Sequence, residues 1–180
     1  MNNRKVTYLG DKLSLQINWS LNFFLPECNS SSMCVTSCGQ GWAQFQSSCY
    51  FWSTDKKSWA DAEDFCQQEG GHLASIPTED VNNFVWEEME RQGQNHFWIG
   101  GSDLEEEGVW NWNDCSLWNF TFWEAGEPNN NNGEQHCLQH WAHHFYDAHG
   151  WDDYECDTEK PFVCSKMMCS GFFTNLNCKL

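Results

Sequence analysis

Basic residues are scarce in this chain: nine Lys and Arg stand against 26 Asp and Glu, a formal net charge of −17. So acidic a surface repels phosphate, which argues against nucleic acid or an anionic membrane face as the partner. It permits cation binding without requiring it. A run of the ~20 apolar residues that a membrane-spanning helix needs is also missing. After Arg4 and Lys5 come only broken apolar pieces, residues 13–17 and 21–25, split by Asn18-Trp19-Ser20. The unbroken ~7–15-residue apolar core of a secretory leader is not spelled out there, so the start reads as an atypical leader or as a chain lacking its true amino terminus. The eleven cysteines contain no close Cys-x-x-Cys knuckles, which favours disulfides in an oxidising, extracellular setting over zinc. No collagen-like Gly-x-y run or coiled-coil heptad clusters several copies, and the expectation is a monomer or a disulfide-linked dimer.

What is present points to a stapled, loop-rich fold. The 180 residues suffice for one domain with an extension. Twelve tryptophans demand partners for their indole N–H groups. Asn18, Asn29 and Asn119 each open an Asn-x-Ser/Thr sequon, and Asn119 is as well read as a structural asparagine as a glycosylated one. The text changes character at Cys38: residues 38–52 read as two short aromatic strands. Ser58 caps a helix with Asp61 as its capping-box partner, and Gly70-Gly71 stops it; Trp59, Ala62 and Cys66 share one face. Residues 73–76 form a short strand. Thr78 opens a second helix, with Glu79 and Asp80 at its positive end and Val81, Phe84, Val85 and Met89 at buried helical spacing. Residues 97–101 are a core strand, and residues 102–150 read as mostly loop.

From within that loop to just past its end, residues 127–153 gather carboxylates and side-chain amides: Glu127-Pro128-Asn129, the polar run from Asn130 to Gly133, Glu134, and Trp151-Asp152-Asp153. Such a set suits a hard cation, because Ca²⁺ takes roughly 6–8 oxygen ligands and tolerates irregular geometry. A solvated acidic loop has the same composition. His136, His140, His143, His144 and His149 raise a transition metal, but they lack a clean ligand spacing and read first as surface or packing residues. Trp110, Trp112, Trp118 and Trp123 are core or loop-packing residues, any one of which could instead stack on a sugar ring.

Taken in order, Ser58-Trp59, Ala62, Cys66, residues 70–76 (Gly-Gly-His-Leu-Ala-Ser-Ile), Trp98-Ile99-Gly100-Gly101, Trp110, Trp112, Glu127-Pro128-Asn129, Cys137, Trp151-Asp152-Asp153, Cys156 and Cys164 resemble the C-type lectin domain from end to end. The resemblance implies an α+β fold: two helices packed on small antiparallel sheets, a long Ca²⁺-binding loop region, and disulfide staples. It implies a domain over residues 38–167, with an N-terminal extension over 1–37 and a cysteine-containing tail over 168–180. The implied pairs are Cys66–Cys164 and Cys137–Cys156, with Cys38–Cys49 as the extra bridge of the long form. Cys28, Cys34, Cys115, Cys169 and Cys178 are left unassigned, and an odd total leaves one thiol free or joined to another chain.

The same resemblance puts the principal Ca²⁺ site on Glu127, Asn129, Glu134, Asp152 and Asp153, with Pro128 in a cis peptide bond. These residues also contact sugar: a pair of vicinal equatorial hydroxyls completes the metal's shell and hydrogen-bonds its ligands. Glu-Pro-Asn goes with glycans of the mannose, fucose and N-acetylglucosamine type. The chain departs from the family at two places. Asp152 stands where sugar-binding members have Asn, so an amide donor is replaced by an acceptor. Next to Glu134, taken as the ligand, stands the neutral Gln135. The expected function is Ca²⁺-dependent glycan recognition by a secreted protein, in defence or cell recognition; the alternative is a lectin-like fold that binds a protein surface or ice. An enzyme is not expected, since a glycosidase acid must stay protonated and a shared cation holds Glu127 and Glu134 ionised.

Overall fold

The computed structural model describes residues 35–143 and 148–169. Both helices start where side chains satisfy their first N–H groups. Ser58 Oγ accepts the Asp61 N–H at 3.2 Å and donates to the Asp61 carboxylate at 2.8 Å, opening α1 (Trp59–Gln68). Thr78 Oγ1 accepts the Val81 N–H at 3.3 Å, opening α2 (Glu79–Arg91), whose first turn is acidic and whose last turn carries Arg91.

Eight strands form one sheet: β1 (Ala43–Phe45), β2 (Ser48–Lys57), β3 (His72–Leu73), β4 (His96–Ser102), β5 (Asn111–Trp112), β6 (Cys137–His143), β7 (Ala148–Tyr154) and β8 (Lys160–Met167). The order is β1-β2-β8-β4-β6-β7, with β3 on β8 and β5 on β4. The expected small antiparallel sheets are thus joined into one, through a parallel contact of β4 and β8 at Trp98 and Phe162. Alternation along β4 sorts the core onto two faces. Phe97 and Ile99 join Val81, Val85, Trp86 and Met89 of α2, whereas Trp98 joins Trp59, Ala62 and Cys66 of α1.

Residues 137–143, expected as loop, are a strand. Cys137, Leu138, Gln139 and His140 are all buried, so both faces are covered and the apolar–polar alternation that betrays a half-exposed strand is absent. Gly101 permits this packing, because a Cβ there would meet Leu138 Cδ2 at 2.6 Å.

The three implied disulfides are present: Cys38–Cys49, Cys66–Cys164 and Cys137–Cys156. Cys115 and Cys169 are disulfide-bonded as well; Cys28, Cys34 and Cys178 lie outside the described residues, as do the sequons at Asn18 and Asn29. Several tryptophans meet the demand for indole partners. Trp52 donates to Val85 O, Trp59 to Ile99 O, Trp98 to Lys57 O and Thr158 O, and Trp151 to Asn82 Oδ1. No helix among the described residues is long and apolar enough to cross a membrane.

Candidate metal centre

The 34 residues between β4 and β6 leave the sheet and return to it twice. On the way, residues 122–124 lie along β7: Trp151 N–H donates to Phe122 O at 2.7 Å and Glu124 N–H to Trp151 O at 2.8 Å. Gly150 makes room, since a Cβ would sit 2.8 Å from Glu124 N. The chain then turns at Glu127, whose bond to Pro128 is cis. It passes a 3-10 turn, Asn131–Gly133, capped by Asn130; Asn130, Asn132 and Gly133 have φ of 41°, 59° and 74°. Asn and Gly are the residues that adopt this left-handed backbone at least cost, which accounts for the polar run.

Across from this turn, β7 presents Asp152 and Asp153 next to the fully buried Trp151. Asp153 is itself buried, and its two carboxylate oxygens accept the backbone N–H groups of Asn129 (2.9 Å) and Asn130 (2.7 Å). Asp152 Oδ2 accepts from Gln139 Nε2, its register partner on β6. Oxygens of Glu127, Asp152 and Asp153 lie within 4.8 Å of one another. Glu127 Oε2 is buried with no hydrogen-bond partner among the described residues.

The electrostatics follow from this crowding. Burial, then the Asp152 charge and the contact with Asp153, push the Glu127 carboxyl up to about 7, against a lowering hydrogen bond from the Asn129 side chain. Burial also raises Asp152, with the Asp153 charge adding to it and Gln139 and Lys160 opposing. Three converging carboxylates, one with an orphaned buried oxygen, fit a divalent cation with oxygen preference.

Four of the five residues expected to hold that cation are therefore together: Glu127, Asp152 and Asp153 by their carboxylates, and Asn129 by its bond to Glu127. Glu134 is not with them. It is exposed and outside the converging group, because the left-handed turn before it directs the next residue inward instead. Gln135 is buried, with its Oε1 accepting the Asn131 N–H at 2.7 Å and its own N–H donating to Asn130 Oδ1 at 3.1 Å.

Of a second group, the sequence singled out only His136. Asp103, Glu107 and His136 also bring ligand atoms within 4.8 Å of one another. The register explains it: Ser102 pairs with Cys137 across β4 and β6, so Asp103 and His136, one step beyond, meet at the strand ends. The backbone bond from Asp103 N–H to His136 O, 3.2 Å, continues that ladder. The available signal was the acidic run at residues 103–107 directly after a core strand. Of the other histidines singled out in the sequence, His140, fully buried, stacks on Trp86 at 4.9 Å, Phe97 at 5.2 Å and His149 at 5.2 Å, and His144 lies outside the described residues. The sequon Asn119 is exposed. Trp110 and Trp112 are buried and Trp118 and Trp123 partly so, all within one aromatic cluster around Trp151.

The sequence profile described as "Lectin C-type domain" matches residues 55–166. A perlucin-like protein of Mytilus galloprovincialis is 32% identical over 146 residues, covering 79% of this chain and 91% of its own length. Among solved structures, a mouse scavenger receptor C-type lectin carbohydrate-recognition domain superposes with a TM-score of 0.63 at 29% identity, over 74% of this chain and 98% of its own. Herring type II antifreeze protein superposes with a TM-score of 0.67 at 27% identity, over 73% and 100%.

Proposed function

Because the chain belongs to the C-type lectin domain family, whose members are in general non-enzymatic carbohydrate-binding proteins, we propose that it is a calcium-dependent lectin working outside the cell. Its site is formed by Glu127, Asn129, Asp152 and Asp153, and its ligands are glycans with vicinal equatorial hydroxyls of the mannose, fucose or N-acetylglucosamine type. The observation that carries the reading is the buried, unpartnered Oε2 of Glu127, on a carboxyl that converges with those of Asp152 and Asp153. When bound there, Ca²⁺ supplies open coordination positions for two neighbouring sugar hydroxyls.

The protein's own residues do the rest. Asp153 ties the Asn129 and Asn130 backbone to β7, so the Glu-Pro-Asn turn and the Trp-Asp-Asp strand are held as one unit before any ligand arrives. Glu127 and Asp152 offer carboxylate acceptors to sugar hydroxyls, and Asn129 offers an amide. Glu134 is the fifth ligand expected from the resemblance; its exposure supports a lesser contribution than the other four. The disulfides support an extracellular setting.

A glycan array read with Ca²⁺ and with chelator tests this. Calcium-dependent signal on mannose-, fucose- or N-acetylglucosamine-terminated glycans is the expected result, and an array blank in both buffers overturns it. One observation favours a second reading: Asp152 places an acceptor where a sugar hydroxyl would meet a donor, and the fold is shared with an antifreeze protein. Binding of ice or of a protein surface would show as thermal hysteresis, or as calcium-insensitive capture, without sugar inhibition.

A further inference from the structure

We infer that Asn119 carries an N-linked glycan. The inference is independent of the lectin reading and needs only passage through an oxidising compartment, which the three disulfides support. Asn119-Phe120-Thr121 is the one Asn-x-Ser/Thr sequon among the described residues, and its middle residue is not proline. Alternation sorts residues 117–122 onto two sides. Phe120 and Phe122 turn inward: the Phe120 ring packs edge-on against Trp151 at 5.6 Å, and the Phe122 ring lies 5.2 Å from His149. Leu117, Asn119 and Thr121 are all exposed. The packed phenylalanines and the bond from Trp151 N–H to Phe122 O hold the segment in place. The acceptor amide of Asn119 and the hydroxyl of Thr121, the two groups that define the sequon, are left to solvent.

Asparagines with a structural role in this protein make contacts that Asn119 lacks. Asn82 is fully buried and its Oδ1 accepts from Trp151. Asn130 adopts a left-handed backbone and its Oδ1 accepts the Gln135 N–H. Asn119 is outside the left-handed region, and its side chain has no hydrogen-bond partner among the described residues. A glycan there also has something to cover, because Leu117 is 79% exposed on the same side of the segment. The modification is a glycosyl transfer. Asn119 Nδ2 bonds to the anomeric carbon of a lipid-diphosphate-linked oligosaccharide, and the bond from that carbon to the diphosphate oxygen breaks. The amide nitrogen gives up one proton and the lipid diphosphate leaves, so neither oxidant nor reductant is consumed.

The experiment is peptide mapping by mass spectrometry of the full chain secreted from a glycosylating eukaryotic cell, before and after treatment with a peptide-N-glycosidase. The expected result is a glycan-bearing peptide spanning residue 119, which the enzyme converts to a sugar-free peptide with aspartate at that position. Thr121→Ser should keep the glycan, whereas Asn119→Gln and Thr121→Ala should each abolish it. All three side chains are at the surface, and an unchanged circular dichroism spectrum keeps folding out of the comparison. An unmodified residue 119 in secreted, disulfide-bonded wild type, from cells that glycosylate a co-expressed control protein, overturns the inference. So does sugar on this peptide that persists undiminished in Asn119→Gln, which would place it on Thr121.

Discussion

Gln139 and Asp152 face each other across β6 and β7, and Gln139 Nε2 donates a 2.5 Å hydrogen bond to Asp152 Oδ2. The bond sets the amide donor of Gln139 beside residue 152. With an amide donor on the strand side, an Asn at 152 would turn its carbonyl to Gln139 and its NH₂ toward the site.

Asp152→Asn should therefore supply a directed donor to a sugar hydroxyl. A hydrogen bond of this sort contributes on the order of 1–3 kcal/mol, so mannose-type binding should tighten by roughly five- to hundredfold at saturating Ca²⁺. Sugar titration at high metal checks it; an unchanged or weaker affinity there removes the donor argument. Gln139→Glu should act oppositely, by setting a second carboxylate against Asp152 and weakening the sugar.

Asp153 holds the turn through both of its oxygens. Asp153→Ala leaves the Asn129 and Asn130 N–H groups without acceptors, each a charge-assisted bond of about 1.5–3 kcal/mol. The expected outcome is loss of the Ca²⁺-induced rise in melting temperature, followed by thermal unfolding with metal and with chelator. A rise of wild-type size would show that the turn is held by something else.

His140 sets an acid limit on stability. Burial first, and then the nearby His149, keep its pKa well below the ordinary value of 6.5, while Glu90 and Glu124 act on the partly exposed His149. The folded state thus binds fewer protons at this ring than the unfolded chain. Its stabilising effect is complete above roughly pH 6.5 and is lost as pH falls below that, by up to about 1.4 kcal/mol per pH unit. His140→Phe keeps a ring in the stack and removes the titration, so chemical denaturation between about pH 6.5 and 5 should give a flatter profile. Parallel profiles for the two proteins would contradict this.

The Cys137–Cys156 bridge ties the strand after the Glu-Pro-Asn turn to the end of the strand bearing Asp152 and Asp153. Changing both cysteines to Ala should cost about 2–5 kcal/mol of stability and weaken Ca²⁺ in addition. Denaturant melts and calcium titration of the folded fraction separate the two effects; an unaltered calcium affinity would mean the bridge stabilises the fold without aligning the site.

Local chemistry made much of the fold legible. Ser58 and Thr78 announce their helices because a cap is a property of a few adjacent residues, and Trp59, Ala62 and Cys66 announce a buried face because helical spacing is short-range. Strand 137–143 was hidden by being covered on both faces with Gln139 and His140 inside it. Asp103 and His136 are 33 residues apart, and only the register of Ser102 on Cys137 brings them together. Glu134 is preferred to Gln135 on its charge, but the left-handed residues at 130, 132 and 133 leave Glu134 exposed and turn Gln135 inward. Composition singles out residues 127–153 as rich in carboxylates, but that Glu127 meets Asp152 and Asp153 is implied only by the order of motifs along the chain, since nothing local joins residue 127 to residue 152.

Calorimetric titration of Ca²⁺ into the wild-type chain and into Glu127→Gln tests the central claim most directly. The account predicts one ion at the Glu127 site of the wild type and an affinity lower by about tenfold or more in the variant, which loses one carboxylate of the three. No heat of binding in the wild type, or equal affinity in the two proteins, would contradict it.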